Sequence, residues 1–412
     1  MKYQVVILAG GKSSRFFPFN KLHKSFFKIG GKSILERTVS TVKKSDPLEI
    51  LLVLGGKNFE EEKAYCEALS AFENVKIIRQ ENSLGQADAI LAAEKFIKND
   101  FFVINSQQFD LDKITTQFIE KKESNSSLVT IGLAETDCPN KYGIASIDGE
   151  KVTGVTEKPE KGREASNLRL VGIYLFSKEF LHELKKREIS EYLLEVVLNE
   201  IAGQGKVSFV EIKETLPSLK YPWDVLDVKN AILNNVGFGV DKSAAVAPTA
   251  ILKGDSIHIG KNAFISDFAI IESPAYIGDN AVVGAYCQMR GGSILEDGAQ
   301  IERYTDVKNS IIGDGSHIHS GFVGDSVIGR DCRIGAGFVT ANKKFDRSSI
   351  DVDVKNNKVD SYKKNIGAFI GDNVKVGIRV STMPGTVVGP NSTIYPGVIL
   401  KGCIETASDI AK

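Results

Sequence analysis

The chain has 412 residues, which is enough for two domains that each bury a core. Its 52 basic and 52 acidic residues balance, so the net charge provides no general attraction to nucleic acid or to an anionic membrane surface. No apolar run approaches the roughly 20 residues of a membrane span, no signal-peptide pattern opens the chain, and the five scattered cysteines form no C-x-x-C pair, so we expect a cytoplasmic protein without a cysteine-bound zinc ion.

Residues 1 to about 230 alternate short apolar runs with amphipathic stretches. The predicted strands are Gln4–Ala9, Ile50–Leu54, Val75–Arg79, Phe101–Asn105, Ser127–Leu133 and Arg169–Phe176. The predicted helices between the early strands are Ser33–Lys43, Phe59–Ala71 and Gln86–Lys98. This alternation predicts an α/β domain with a Rossmann-like, mostly parallel sheet, in which ligands bind beyond the carboxyl ends of the strands.

A small, basic loop follows the first predicted strand. Gly10 and Gly11 have no side chains to cover their backbone N–H groups, and the cations Arg15 and Lys24 follow in the same segment. Uncovered N–H groups beside fixed cations form an anion site, and the donors of Arg and Lys suit phosphate. The spacing matches neither G-x-x-x-x-G-K-[ST] nor G-x-G-x-x-G. We interpret the segment as a phosphate loop of another kind, with an ordinary glycine turn as the alternative.

From Ile257 onwards the apolar residues recur every six positions. They are Ile259, Ile265, Ile271, Ile277, Val283, Met289, Leu295, Ile301 and Val307, followed after a gap by Ile328, Ile334, Ile370, Val376, Val388 and Ile394. A helix repeats at 3.6 residues and a strand at 2.0, whereas a hexapeptide repeat contributes one short strand and one corner to a β-solenoid. The sequence therefore predicts two domains, residues 1–234 and 235–412, of which the second is a solenoid.

One segment, Ala341–Asn365, interrupts the solenoid pattern. It is rich in lysine and aspartate and lacks the six-residue period. A solvated surface loop and a functional arm over a site both fit this composition, because long loops in compact frames are often functional.

Further motifs follow the basic loop along the chain. In the first half the motifs are Leu8–Arg15, Lys24, Leu84–Ala89, Tyr142–Ile144, Glu157–Pro159 and Asn167 with Gly172–Tyr174. In this order they resemble the motifs of the sugar-1-phosphate nucleotidylyltransferases, and the resemblance extends over nearly the whole chain. The second half resembles the left-handed β-helix of bifunctional N-acetylglucosamine-1-phosphate uridyltransferases that also acetylate glucosamine-1-phosphate. The matching segments are His319–Asp325, Ile334–Gly337, Ala341–Lys344 and Ile366–Gly371. Each motif is moderately specific, and their order together with the six-residue period is highly specific.

The resemblance implies that a sugar-1-phosphate attacks the α-phosphorus of an NTP in line and releases pyrophosphate. Such an enzyme acts mainly by positioning and charge stabilisation. The implied catalytic cations are Arg15, on the leaving phosphates, and Lys24, on the α-phosphate. The implied nucleotide-binding residues are Leu8, Gly10, Gly11 and Gln86, and the implied sugar-phosphate-binding residues are Gly143, Glu157, Lys158 and Asn167.

The sequence departs from the family at the implied Mg²⁺ site. Gln107 stands where members usually carry a magnesium-binding aspartate, and Mg²⁺ prefers carboxylate oxygens. Asp110 is the candidate that would replace this aspartate if the loop were shifted. Asp224 resembles a second metal-binding position of the family, and it also suits the cap of the helix that follows. These three residues are the candidate metal ligands, and a weakened or inactive first domain is the alternative.

In the second half, His319 matches the histidine that resembles a general base in acetyl transfer from acetyl-CoA. The other implied acetyltransferase residues are Phe322, Asn342, Lys344 and Ala368, with Phe322 at a position that is usually tyrosine. His258 and His317 are expected to be ordinary surface residues. The resemblance also implies a homotrimer through the β-helix, with the Ala341–Asn365 segment reaching towards a neighbouring subunit.

Three functional hypotheses follow. The first is a bifunctional enzyme that joins UTP or dTTP to a sugar phosphate such as N-acetylglucosamine-1-phosphate, uses Mg²⁺, and also uses acetyl-CoA; a mannose-1-phosphate guanylyltransferase is a close variant. The second keeps only the acetyltransferase, with Gln107 marking a decayed first domain. The third is a non-catalytic regulatory subunit, against which the retained Arg15, Lys24 and Lys158 argue. None of them involves nucleic acid or a membrane.

Overall fold

The computed structural model of the protein describes residues 2–56, 58–108, 111–213, 217–235 and 237–411. The chain divides into two units: the first combines Met1–Lys12 with Ile34–Leu216, and the second combines Ser13–Ser33 with Pro217–Lys412. Within the described ranges, no helix has both the length and the apolar character that a membrane crossing requires.

Eleven strands precede the solenoid in the described residues. They are β1 (Gln4–Ala9), β2 (Lys28–Ile29), β3 (Lys32–Ser33), β4 (Ile50–Gly55), β5 (Val75–Gln80), β6 (Phe101–Asn105), β7 (Val129–Glu135), β8 (Gly143–Asp148), β9 (Lys151–Glu157), β10 (Leu168–Phe176) and β11 (Val207–Glu211). The α-helices are α1 (Ile34–Lys44), α2 (Phe59–Glu67), α3 (Gly85–Ala92), α4 (Leu111–Asn125), α5 (Phe180–Lys185), α6 (Leu193–Gly203) and α7 (Asp224–Leu233). Short 3₁₀ helices cover Lys24–Phe26, Ser70–Phe72, Glu94–Phe96 and Pro139–Lys141.

The first unit contains one nine-stranded sheet with the order β5-β4-β1-β6-β10-β7-β11-β9-β8. Strand β1 lies between β4 and β6 and is parallel to both. Its apolar residues are buried because both of its edges are paired and helices cover the sheet. Parallel strands end at the same edge, and the Ser106 N–H accordingly donates to the Leu8 carbonyl at 3.2 Å. The predicted α/β fold class is confirmed.

The second unit contains a parallel β-helix with three sheets. The first sheet comprises Gly239–Val240, Ile257–Ile259, Ala275–Ile277, Ser293–Leu295, Ile311–Ile312, Val327–Ile328, Ala368–Ile370, Thr386–Val388 and Cys403–Ile404. The second sheet comprises Ala245–Val246, Phe264–Ile265, Val282–Val283, Gln300–Ile301, His317–Ile318, Arg333–Ile334, Lys375–Val376, Thr393–Ile394 and Asp409–Ile410. The third sheet comprises Ile251–Lys253, Ile270–Glu272, Gln288–Arg290, Thr305–Lys308, Gly321–Gly324, Phe338–Thr340, Ser381–Thr382 and Ile399–Leu400. The predicted left-handed β-helix of hexapeptide repeats is confirmed.

The core of the β-helix explains both the six-residue period and its gap. All of the residues predicted to point inward are buried, most of them completely. Between Val307 and Ile328 the core continues through Ile312, Ile318 and Val323. The spacing there falls to five residues at three of the four steps, because the corners are shorter. A search for period six alone misses these coils.

The segment that interrupts the repeat contains a two-stranded hairpin. Its antiparallel strands are Asp351–Val354 and Asn357–Asp360. Ile350 and Val352 are buried, so one face of the hairpin packs on the protein. Phe345, which precedes the hairpin, has a fully exposed side chain.

Candidate functional site

The candidate residues of the first unit and those of the second unit are described in turn. In the first unit, Gly10 follows β1 and is buried. A Cβ at this position would lie 2.1 Å from the side-chain oxygen of Gln80, and the Gly10 carbonyl accepts a hydrogen bond from Ser83 Oγ at 3.2 Å. A larger residue at position 10 would therefore have to displace the buried amide of Gln80. Gly11 is exposed and Leu8 is half-buried, so a ligand has room beside the backbone of Gly11.

Gln86 lies in the first turn of α3, which begins at Gly85. Gly85 has a φ of +87°, and a Cβ there would lie 2.3 Å from the Glu191 carbonyl oxygen. The carboxylate of Asp88 closes the start of the helix by accepting the Leu84 N–H at 3.1 Å. The buried Gln86 Oε1 has no hydrogen-bond partner among the described residues. An unsatisfied buried amide oxygen is costly, and it is a position that a ligand donor would satisfy.

Three of the four predicted sugar-phosphate residues, Gly143, Glu157 and Lys158, lie together at one end of the β8–β9 hairpin. Gly143 is paired with Glu157 in the sheet, and a Cβ on Gly143 would lie 2.9 Å from Glu157 Oε2. Lys158 has a positive φ of 46°, and its ammonium forms an ion pair with Glu157 Oε1 at 3.2 Å. The side chain of Lys158 is 50% exposed, so its cation remains accessible. The exposed Asn167 precedes β10, and its carbonyl accepts the Thr136 N–H at 2.9 Å.

A carboxyl group that the sequence analysis missed also faces this hairpin. Burial raises the pKa of Glu195, on α6, and the neighbouring Glu157 adds to the rise while Lys158 opposes it. These mutual effects place Glu195 within electrostatic reach of both residues. The sequence around Glu195 did not indicate a role for this residue, because a glutamate on a partly exposed helix usually has no special function.

In the second unit, the loop that carries Arg15 and Lys24 lies against residues 219–224. The Lys24 Nζ donates to the Leu219 carbonyl at 2.5 Å, and the Arg15 guanidinium carbon lies 5.8 Å from the ring centroid of Tyr221. Burial lowers the pKa of Lys24 to about 8; Asp224 opposes this change, and the cations Arg15 and Lys220 add to it. The loop therefore collects positive charge at one place even without a ligand.

The candidate metal ligands fit a protein-held Mg²⁺ poorly. Gln107 is half-buried in the turn after β6 and offers a neutral amide oxygen, and Asp110 lies outside the described residues. Asp224, the first residue of α7, uses Oδ2 to accept the N–H groups of Lys220 at 2.7 Å and Tyr221 at 2.8 Å. Mg²⁺ is usually held by one or two carboxylates together with substrate phosphates. Among the described candidates, Asp224 is the one carboxylate, and it already stabilises a turn.

In the β-helix, His319 and His317 share the carboxylate of Glu302. His319 Nδ1 lies 2.9 Å from Glu302 Oε2, and His317 Nε2 lies 2.7 Å from Glu302 Oε1. Partial burial raises the pKa of Glu302, but the hydrogen bonds of the two histidines outweigh it and the net shift is downward. The expectation that His317 is an ordinary surface residue was wrong: it is half-buried and bound to the same carboxylate as His319. His258 is half-buried and stacks on Tyr276, with ring centroids 4.7 Å apart.

The other predicted acetyltransferase residues have separate contacts. The Asn342 side-chain N–H donates to the buried Asp325 at 2.6 Å, and the ring of Phe322 lies 5.9 Å from the Arg290 guanidinium carbon. The Lys344 ammonium donates to the Ser349 carbonyl at 2.5 Å, a contact within the interrupting segment. Ala368 is buried, and its N–H donates to Ser326 Oγ at 2.9 Å. Asn342 and Ala368 are thus fixed by the β-helix, whereas Lys344 is held by the loop.

An α/β sheet with a basic loop after its first strand, followed by a β-helix of hexapeptide repeats, is the architecture of nucleotidyl transferases that carry C-terminal hexapeptide repeats. Residues 4–211 match the nucleotidyl transferase family, residues 253–359 match the GMPPB C-terminal domain, and residues 367–402 match the bacterial transferase hexapeptide (six repeats). The chain belongs to the nucleotidyl transferase family, in the group that carries C-terminal hexapeptide repeats.

Relatives of the same length are similar to the chain from end to end. The bifunctional protein GlmU of Methanococcus vannielii is 32% identical over 418 residues, which cover 99% of this chain and 97% of that protein. The bifunctional sugar-1-phosphate nucleotidylyltransferase/acetyltransferase of Sulfurisphaera tokodaii is 30% identical, over 96% of each chain. A solved structure of apo UDP-glucose pyrophosphorylase has a TM-score of 0.50 at 18% identity, covering 57% of this chain and 99% of that one. The last likeness concerns the fold.

Proposed function

We propose that the protein is a bifunctional enzyme that joins an NTP to a sugar-1-phosphate, with release of pyrophosphate, and that also acetylates glucosamine-1-phosphate with acetyl-CoA. The observation that carries this proposal is the likeness over 99% of the chain to relatives named as bifunctional. UTP or dTTP is the proposed nucleotide, and N-acetylglucosamine-1-phosphate is the proposed acceptor. The local geometry of the two candidate sites supports each half of the proposal.

In the first half, an oxygen of the sugar phosphate attacks the α-phosphorus of the NTP, and the bond from that phosphorus to the bridging β-oxygen breaks. Arg15 stabilises the leaving pyrophosphate, and Lys24 stabilises the α-phosphate. Both cations lie in one loop, so one triphosphate can meet both of them. Gln86 offers its unsatisfied oxygen to a donor of the base. Lys158 holds the sugar phosphate, while Glu157, Gly143 and Asn167 contact the sugar. Leu8, Gly10 and Gly11 line the nucleotide.

A Mg²⁺ ion would neutralise charge on the triphosphate in this half. The described donors fit it poorly as a protein-held ion, since Gln107 is neutral and Asp224 is engaged with backbone donors. We therefore assign charge stabilisation to the fixed cations and derive no step through the metal.

In the second half, His319 takes a proton from the sugar amine as the amine nitrogen attacks the thioester carbon of acetyl-CoA. The C–S bond then breaks, the amide forms, and the leaving CoA thiolate takes the proton from His319 to become the free thiol. Because its Nδ1–H donates to Glu302, the neutral imidazole keeps a bare Nε2 that can accept this proton. Glu302 is then a positioning residue that fixes the tautomer. Asn342, Lys344, Phe322 and Ala368 are proposed to contact the substrates. A neighbouring subunit of a homotrimer is the proposed partner of the exposed Phe345.

The neutral Gln107 specifically favours a second candidate function, in which only acetyl transfer remains. Two assays on the full chain separate the candidates. The first measures pyrophosphate release over a matrix of NTPs and sugar-1-phosphates, with and without Mg²⁺. The second measures thiol release from acetyl-CoA with glucosamine-1-phosphate. We expect both pyrophosphate and free CoA thiol to be released. If no pair of NTP and sugar-1-phosphate released pyrophosphate, the first half of the proposal would be overturned.

The role of His319 is tested by His319→Ala, with His258→Ala as the matched control on the same β-helix. We expect His319→Ala to lower the rate of thiol release at least a hundredfold, because a positioned base contributes about 10²–10⁴-fold. His258→Ala should keep the rate. A His319→Ala variant that retained the full rate would remove the assignment.

The proposed homotrimer is tested by light scattering on the full chain. The measured mass should be three times that of one chain, and the mass of a monomer would contradict the trimer.

A further inference from the structure

The outer face of the second β-helix sheet presents three metal-ligating side chains on neighbouring coils. His317 and His319 flank Ile318, whose side chain lies in the core, so strand alternation turns both imidazoles outward. Glu302 follows the preceding strand, and its N–H donates to the Ile318 carbonyl at 2.9 Å. The sheet therefore fixes all three backbones.

One nitrogen of each histidine and an oxygen of Glu302 all lie within 4.8 Å of one another. The two imidazole centroids are 4.8 Å apart, and the rings are tilted by 31°. Around Zn²⁺ with bonds of about 2.0–2.1 Å, tetrahedral ligand atoms are separated by roughly 3.3 Å. The upper limit of 4.8 Å exceeds this spacing by roughly 1.5 Å, so the side chains have to move by no more than this to surround one ion.

We propose that Glu302, His317 and His319 bind one divalent transition-metal ion, of which Zn²⁺ is the best match. Two imidazoles and a carboxylate are ligands that Zn²⁺ accepts, and three protein ligands leave at least one position for water. The side chains of Glu302 and His319 are 48% and 54% exposed, so an ion can enter from solvent. On the next coil, Arg333 is paired with His317 in the sheet, and its guanidinium donates to the Gly315 and Cys332 carbonyls.

Occupancy of this site switches off the acetyl transfer described above; this consequence rests on the proposed function, whereas metal binding does not. To ligate through Nδ1, neutral His319 moves its proton from Nδ1 to Nε2. The proton then occupies the nitrogen that must accept one from the sugar amine. His317 undergoes the opposite change, from Nε2–H to Nδ1–H. No proton is gained or lost overall, and the metal holds His319 in the tautomer that cannot act as a base.

Metal binding is measured on the full chain by titration with Co²⁺, followed by visible absorption. We expect one equivalent to bind the wild-type chain and the His258→Asn control with equal affinity. His317→Asn and Glu302→Gln should each weaken binding at least tenfold, since even the loss of an outer-shell partner costs 10–100-fold. Equal affinity of wild type and His317→Asn would overturn the proposal. A thiolate-to-cobalt charge-transfer band would also overturn it, because a cysteine would then be a ligand.

The switch is measured as the Zn²⁺ dependence of thiol release, starting from chelator-treated protein. Zn²⁺ should inhibit wild type and His258→Asn at the same concentration, while His317→Asn keeps its chelator-treated rate up to at least tenfold more Zn²⁺. Equal inhibition of His317→Asn would overturn the switch. If the chelator-treated chain does not acetylate, the proposed function fails, and the Co²⁺ titration still supports or overturns the site.

Discussion

Lys24 provides the most direct test of the first candidate site, because its charge is predicted to change within an accessible pH range. Burial lowers the pKa of its ammonium to about 8, with Asp224 opposing and with Arg15 and Lys220 adding to the shift. The protonated fraction then falls from about 0.9 at pH 7 to about 0.1 at pH 9. Asp224, whose pKa is about 6, is ionised across this interval, and the arginine stays protonated.

If the triphosphate binds only when Lys24 is charged, nucleotide affinity falls roughly tenfold between pH 7 and pH 9. Calorimetric titration of UTP or dTTP at pH 7, 8 and 9 measures this loss. Lys24→Arg keeps the charge at every pH and should flatten the profile. Lys43→Arg, at an exposed position of α1, is the matched control and should behave as wild type. A wild-type affinity that did not change with pH, or an equal loss in Lys24→Arg, would refute the reasoning.

Three other predictions concern single side chains. Gln107→Asp restores the carboxylate that Mg²⁺ prefers, so pyrophosphate release should rise at least tenfold and should depend more steeply on Mg²⁺; an unchanged rate and dependence would contradict this. Gln86→Leu removes a buried oxygen without a hydrogen-bond partner, so the unfolding free energy of the free chain should rise by about 1 kcal/mol while nucleotide affinity falls. A fall in both the unfolding free energy and the affinity would indicate a structural role. Burial raises the pKa of Asp224 to about 6, so the protonated carboxyl is favoured in the folded state. The unfolding free energy of wild type relative to Asp224→Asn should therefore fall by about 2 kcal/mol as pH rises from 4 to 6, and a constant difference would contradict the shift.

The sequence predicted the elements whose pattern is local and repeated. Strands β1 and β6 were predicted at their observed bounds, since each is a continuous apolar run buried on both faces. The β-helix followed from the six-residue spacing of residues such as Ile259 and Ile277, which are completely buried. The predicted helix Gln86–Lys98 ends earlier, at Ala92, and a 3₁₀ turn follows. The boundary at residue 234 stays a prediction.

Contacts between distant residues could not be predicted in the same way. The Glu302 carboxylate lies beside His319 because neighbouring coils stack their strands, and the resemblance did not include this pair. Lys24 meets the Leu219 carbonyl, a backbone atom that has no signature in the sequence. Strands β8, β9 and β11 are short or half-exposed, so their alternation was too weak to register.

The substitution at position 107 and the charge of the loop have a common physical reading. With a neutral amide at position 107, the proposed neutralisation of a triphosphate depends more on the fixed cations Arg15 and Lys24. Burial, together with the charges of Arg15 and Lys220, lowers the pKa of Lys24. Keeping Lys24 charged in this loop without an anion therefore costs free energy. Under the proposed function, a bound triphosphate would offset that cost, because its negative charge would stabilise the protonated form of Lys24. Without a ligand, the loop is therefore less stable than a loop that lacked this cluster of cations. This is expected of a site that is organised before its ligand binds.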